Sequence, residues 1–125
     1  MNIVPASKID LDACENLARA SDDEVIKNIS ELLQWVQDIN WPVAPLICKR
    51  LESLGGSLVA PVKNILNGED DIWKYWVISS LLSEVPSTVV RELRSELEVI
   101  AENPSRGEKA EGVNVVAKEL LDKCR

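Results

Sequence analysis

The chain has 125 residues, of which 46% are apolar and 28% charged, with 5 Gly and 6 Pro; this suits one folded domain and excludes a disordered or fibrous chain. Its 14 basic and 21 acidic residues give a net charge of −7, and no basic run exceeds two residues, which leaves nucleic acid little to bind directly. Histidine is absent, and with it go Ser-His-Asp and Cys-His nucleophile systems, imidazole bases and imidazole metal ligands.

Taken in order, the punctuation predicts seven helices and almost no strand. Asp10 to Ala20 reads as the first. Ser21, with Glu24 three residues on, opens a second, in which Val25, Ile26, Ile29, Leu32, Leu33 and Val36 recur at helical spacing. Asn40-Trp41-Pro42 starts a third, carried by Val43, Ile47, Leu51 and Leu54 to the stop at Gly55-Gly56. Leu58 to Leu66 forms the fourth, and Asn67-Gly68 suits a left-handed turn after it. Glu69-Asp70-Asp71 opens the fifth. From Ile72 to Leu82 that helix is apolar on nearly every side, with Lys74 its one charge, and it is expected to be central. Pro86-Ser87 begins the sixth, closed by Asn103-Pro104. The seventh is built on Val113, Ala117, Leu120 and Leu121, with Glu108 and Glu111 in its first turn.

Short turns between such helices imply antiparallel neighbours, the third paired with the fourth and the fifth with the sixth. The expected architecture is therefore all-α: one domain over residues 1–125, stacked from helical hairpins in a HEAT-like array. Cys14, Cys48 and Cys124 are odd in number and widely spaced, so they read as reduced thiols rather than a disulfide framework or metal site, and no cofactor is expected. Asn28-Ile29-Ser30 matches a glycosylation acceptor by chance, inside a helix. With no signal-like start and no window near the ~20 apolar residues of a membrane span, a cytoplasmic location is expected.

Three segments carry a family resemblance: Leu33-Gln34-Trp35-Val36-Gln37-Asp38-Ile39-Asn40-Trp41-Pro42-Val43-Ala44; Asp71-Ile72-Trp73-Lys74-Tyr75-Trp76-Val77-Ile78-Ser79-Ser80-Leu81-Leu82; and Asn103-Pro104-Ser105 with Glu111-Gly112-Val113. Together they resemble a small bacterial family of unknown function with HEAT-like helical repeats, over about Ser21 to Leu121. Val36 and Ile39 stand as apolar exchanges for the Leu and Met of that pattern. The resemblance implies an all-helical interaction module, some of whose relatives serve as immunity proteins beside contact-dependent or other polymorphic toxins. It brings no catalytic residues.

In an up-down array, the starts of odd-numbered helices share an edge with the ends of even-numbered ones. That edge collects Asp10, Asp12, Asp38, Glu69, Asp70, Asp71, Glu102, Glu108 and Glu111 against Lys8, Arg106 and Lys109. The opposite edge mixes Arg19, Arg50, Lys123 and Arg125 with Asp22, Asp23, Glu84 and Asp122. The five aromatics, Trp35, Trp41, Trp73, Tyr75 and Trp76, also fall near the acidic edge, with Trp73 and Trp76 expected as core residues of the fifth helix and Trp35 and Trp41 as exposed candidates.

Two readings stay open. Acids gather at helix starts because caps and dipoles favour them, and tryptophans fill cores. Alternatively, the edge is an acidic, aromatic-studded surface for a basic protein. On the second reading the partner-binding candidates are Trp35, Asp38, Trp41, Glu69, Asp70, Asp71, Glu108 and Glu111. The partner would be a cognate toxin domain, possibly a nuclease, neutralised by occlusion, with neither nucleic acid nor membrane bound directly. A general helical adaptor is the alternative. Carboxylate catalysis by Asp70 and Asp71 is disfavoured, because no second motif converges on them.

Overall fold

The computed structural model describes Met1 to Cys124; Arg125, assigned above to the opposite edge, lies outside the described residues. Among the described residues the chain is all-helical, with ten α-helices and no strand. They are α1 (Leu11–Arg19), α2 (Asp22–Lys27), α3 (Ile29–Leu33), α4 (Val43–Leu51), α5 (Val59–Leu66), α6 (Asp71–Trp76), α7 (Ser87–Glu92), α8 (Arg94–Glu102), α9 (Arg106–Ala110) and α10 (Val113–Lys123).

The count exceeds seven because predicted helices are interrupted internally. The second breaks at Asn28, where the backbone turns to φ −113° and the side-chain Nδ2 donates to the Glu24 carbonyl at 2.9 Å. The sixth breaks at Leu93, at φ −101°, between α7 and α8. The predicted seventh is two helices: Gly112, at φ +74°, turns the chain left-handed after α9, a conformation glycine adopts without a Cβ penalty. Gly55 does the same at φ +60° ahead of a 3₁₀ turn over Gly55–Leu58. Asn67 and Gly68 do not; Asn67 stays right-handed at φ −88° and closes α5 with its N–H on the Lys63 carbonyl.

The predicted fifth helix changes pitch midway. After α6 the chain widens into π-type turns over Val77–Leu82, and these bury Val77, Ile78, Leu81 and Leu82 completely. Within α6 the one buried residue is Lys74, while Ile72 is 52% exposed. The expectation that the whole apolar stretch is central therefore holds for its second half only. Trp73 and Trp76, expected in the core, pack against it and remain partly exposed.

One continuous core gathers Leu17, Leu32, Leu33, Ile47, Leu51, Leu58, Ile78, Leu81, Leu82, Leu93 and Leu97, each essentially sealed from water, at roughly 1.5–3 kcal/mol per side chain of this kind. The most extensive packing is of α10 on α8 and on the wide turn, and of α4 on α1 and on the 3₁₀ turn Gln34–Val36; the expected third-with-fourth and fifth-with-sixth hairpins are not among these. The N-terminal segment docks as well: Ile3 is buried, the Lys8 carbonyl accepts from Val43 N–H at 3.1 Å, and Asp10 caps α1 through Ala13 N–H. At the far edge Arg50 ties the end of α1 to the start of α2 through the Leu17 and Ala20 carbonyls and Asp22, the last at 2.7 Å.

Candidate functional site

The edge is built from helix starts. Asp70 is the N-cap of α6, accepting from Trp73 N–H at 3.0 Å, so the first turn projects Glu69, Asp70 and Ile72 outward. Lys74 lies one turn before Val77 and Ile78, on the arc that the wide turn buries. Its carboxylate partners come from two places. Asp71 Oδ1 lies 3.2 Å from Nζ on the same helix, and Glu108 Oε2 lies 3.0 Å away on α9.

Glu108 is held by a capping box. Ser105 Oγ accepts from Glu108 N–H at 3.1 Å, and Glu108 Oε1 accepts from Ser105 N–H at 2.8 Å, leaving Oε2 for the ammonium. Lys74 and Glu108 are 4% and 7% exposed, so this is a sealed ion pair. Burial opposes the Lys74 charge, but the bonds to Glu108 and Asp71 and their attraction prevail and hold its pKa above the ordinary 10.5. Burial likewise opposes ionisation of Glu108. The Ser105 amide and Lys74 outweigh that and hold it below 4.5. At neutral pH both groups are charged, and neither is poised to exchange a proton.

Gly107 completes the junction, because a Cβ there would collide with Asp71 Oδ2. The absence of a side chain leaves that space to the Asp71 carboxylate. Gly112 passes close to the Tyr75 ring, and Tyr75 meets Trp76 edge-to-face with centroids 5.0 Å apart.

Trp35 and Trp41 form a second group. Their rings meet edge-to-face at 5.7 Å, both partly exposed, and Asp38 sits beneath the turn between them, its Oδ1 accepting from Asn40 N–H at 2.9 Å. Trp73 joins the two groups: its Nε1 donates at 3.0 Å to the Leu33 carbonyl, two residues before Trp35.

The eight candidates thus fall into two linked groups with different duties. Glu69 and Glu111 are exposed; Asp70 is exposed but spends one oxygen as a cap; Asp38 braces a turn. Asp71 and Glu108 are committed to Lys74, and Glu108 does not face solvent, so it belongs to the interior rather than to a surface. Sequence reasoning missed Lys74 and Ile72. The signal for Lys74 was present, since a lone cation at helical spacing from Val77, Ile78 and Leu81 implies a buried counter-charge.

The sequence profile of a domain of unknown function, DUF5071, matches residues 3–121. The chain belongs to the DUF5071 family. The match takes in the whole candidate edge from Trp35 to Glu111. A comparison with curated proteins finds no match. Within this DUF5071 domain, no group of three or more Cys, Asp or Glu able to hold a metal ion occurs among the described residues. Among the same residues, no helix is long and apolar enough to cross a membrane.

Proposed function

We propose that this DUF5071 chain is a cytoplasmic, HEAT-like interaction module that grips a basic protein along its acidic edge, and that its partner is a toxin domain which it neutralises. One observation carries the reading. The edge's interior cation, Lys74, is fully spent on Asp71 and Glu108, so it does nothing to offset the exposed Glu69, Asp70 and Glu111. Ile72 is exposed beside Asp70, and Trp73, whose backbone N–H bonds to Asp70, donates its indole N–H to the Leu33 carbonyl two residues before partly exposed Trp35. Aromatic and aliphatic anchors on a mainly acidic edge, where exposed Lys8, Arg106 and Lys109 are the basic minority, suit a protein interface, the anchors for buried contact and the excess charge for rapid, oriented encounter.

Inhibition would be steric, the acidic side chains occupying the surface on which a nuclease toxin binds substrate phosphates. The test is co-expression with a toxin encoded beside this gene in sensitive cells. Survival is expected, and unchanged killing with the soluble module confirmed in the same cells would contradict the proposal. A general adaptor role has one observation in its favour. A groove of about 440 Å³ between α1 and α4 is lined by half-exposed Leu11 and Leu46 over Cys14 and Ala18, a form suited to an apolar peptide helix.

A further inference from the structure

In the groove between α1 and α4, half-exposed Leu11 and Leu46 stand over the small side chains Cys14 and Ala18, and Ile9, 66% exposed, extends the apolar surface beyond the start of α1. The apolar helix that suits such a groove is one this chain itself supplies. We infer that the occupant is a second copy of the chain, the two copies packing α1 and α4 face to face about a twofold axis. The inference is independent of the acidic edge.

The two helices run side by side in the same direction. Val43 N–H bonds to the Lys8 carbonyl ahead of α1, and Cys14 Sγ lies 4.0 Å from the Val43 carbonyl; at the other end Arg50 holds the Leu17 and Ala20 carbonyls. A twofold axis perpendicular to this pair lays the second pair across it in reverse order. Three properties of the face match that operation. First, its relief is self-complementary. Leu46 falls between those two ties, level with the stretch from Cys14 to Ala18, so the knob and the hole lie at one height and each Leu46 enters the other copy's hole. Second, its charge is polarised. The exposed charges of the two helices are Asp12 and Glu15 nearer the start of α1, and Arg19 and Lys49 in the last turns. Reversal sets the bases of each copy against the acids of the other and brings helix ends of opposite dipole together. Lys49 is available for this, because its bond to Glu52, three residues on, joins a side chain that is 81% exposed, a weak pairing; Arg50 is spent on Asp22. Third, those four exposed charges cancel while the chain as a whole carries −7, so contact here adds no local repulsion to that of the excess acid.

Sedimentation equilibrium of the full chain at pH 7 tests this, with reductant present so that Cys124 thiols cannot join copies. The mass is expected to rise from 13.9 kDa toward twice that value between about 1 μM and 1 mM. Leu46→Lys, which charges the knob, and Ala18→Glu, which fills the hole, should each weaken the dimer at least about tenfold. Glu15→Lys and Lys49→Glu should each weaken it, and the double swap should restore it, since the pair between copies is rebuilt with its signs exchanged. A mass of 13.9 kDa throughout would overturn the inference. So would a dimer that Leu46→Lys and Ala18→Glu leave intact, because it is then joined elsewhere. A monomer whose capture of a toxin domain is lost in Leu46→Lys would give the groove to that partner instead. Leu46 and Ala18 are exposed, so both variants should keep the wild-type unfolding midpoint in dilute solution. Should either fail to fold, the charge swap decides, and a double swap no tighter than its singles counts against the twofold pairing.

Discussion

Replacing Lys74 by methionine removes the ammonium while keeping the length and most of the apolar bulk of the side chain. Breaking a buried ion pair from one side costs about 3–5 kcal/mol, because the partner's charge is left stranded. Two features place this case at the lower end. Glu108 keeps its bond from Ser105 N–H at 2.8 Å, and the Asp71 side chain is 22% exposed and can turn to water. The expected loss is thus about 3 kcal/mol, or about 10 °C in Tm for a domain of this size. Urea unfolding at pH 7, followed by tryptophan fluorescence, measures it. Adding Glu108→Gln to Lys74→Met should recover part of the loss, since the stranded charge goes too. A Lys74→Met protein within 1 kcal/mol of wild type, or a double variant less stable than the single, would refute the sealed ion pair. The same pair sets a pH dependence. Glu108 is held below its ordinary value, so its contribution is whole above pH 4.5 and is lost as pH falls through the lowered pKa. Lys74 is held above its ordinary value, so its contribution is whole below pH 10.5 and is lost as pH rises through the raised pKa. Both slopes should flatten in Lys74→Met.

Gly107→Ala, which in an open helix would favour stability, should here cost about 1–3 kcal/mol, because the new methyl displaces the Asp71 carboxylate from Lys74; a Tm at or above wild type would count against that packing. Among the thiols, burial, aided by Glu52, pushes Cys48 up to about 12, and burial with Asp10 raises Cys14, so an aromatic disulfide reagent should label Cys124 first in the native protein. Prompt native-state labelling of Cys48, located by peptide mass, would show that α4 opens more readily than its packing implies.

The helical class was legible because periodicity and caps agree along the chain: Ser21 does cap α2 through Glu24 N–H, and Asp70 caps α6. The internal breaks were not, because neither Asn28 nor Leu93 is a residue that punctuates a helix unaided. At Asn28 a side-chain bond to Glu24 accompanies the turn, and at Leu93 nothing local announces it. Ser105-x-x-Glu108 was readable as a capping box, yet the apolar run that marks a helix starts only at Val113, so Glu108 was assigned to the wrong helix. For the site, helix direction alone set Asp70, Asp71 and Glu108 near one another, but not which of them face solvent. Their division of labour depends on a contact between residues 74 and 108, which no local pattern encodes. That division also changes the choice of variants. Reversing Asp71 would break the triad and reversing Asp70 would remove a cap, whereas Glu69 and Glu111 are exposed and make no capping bond.

The acidic edge is tested most directly by the rate at which a cognate toxin domain associates with wild type and with the Glu69→Lys, Glu111→Lys double variant across a range of salt concentrations. If this edge guides the encounter, the variant associates more slowly at low salt, its rate depends less steeply on salt, and its unfolding midpoint is unchanged. Superimposable rates at every salt concentration, for two equally stable proteins, would mean that the partner approaches another face.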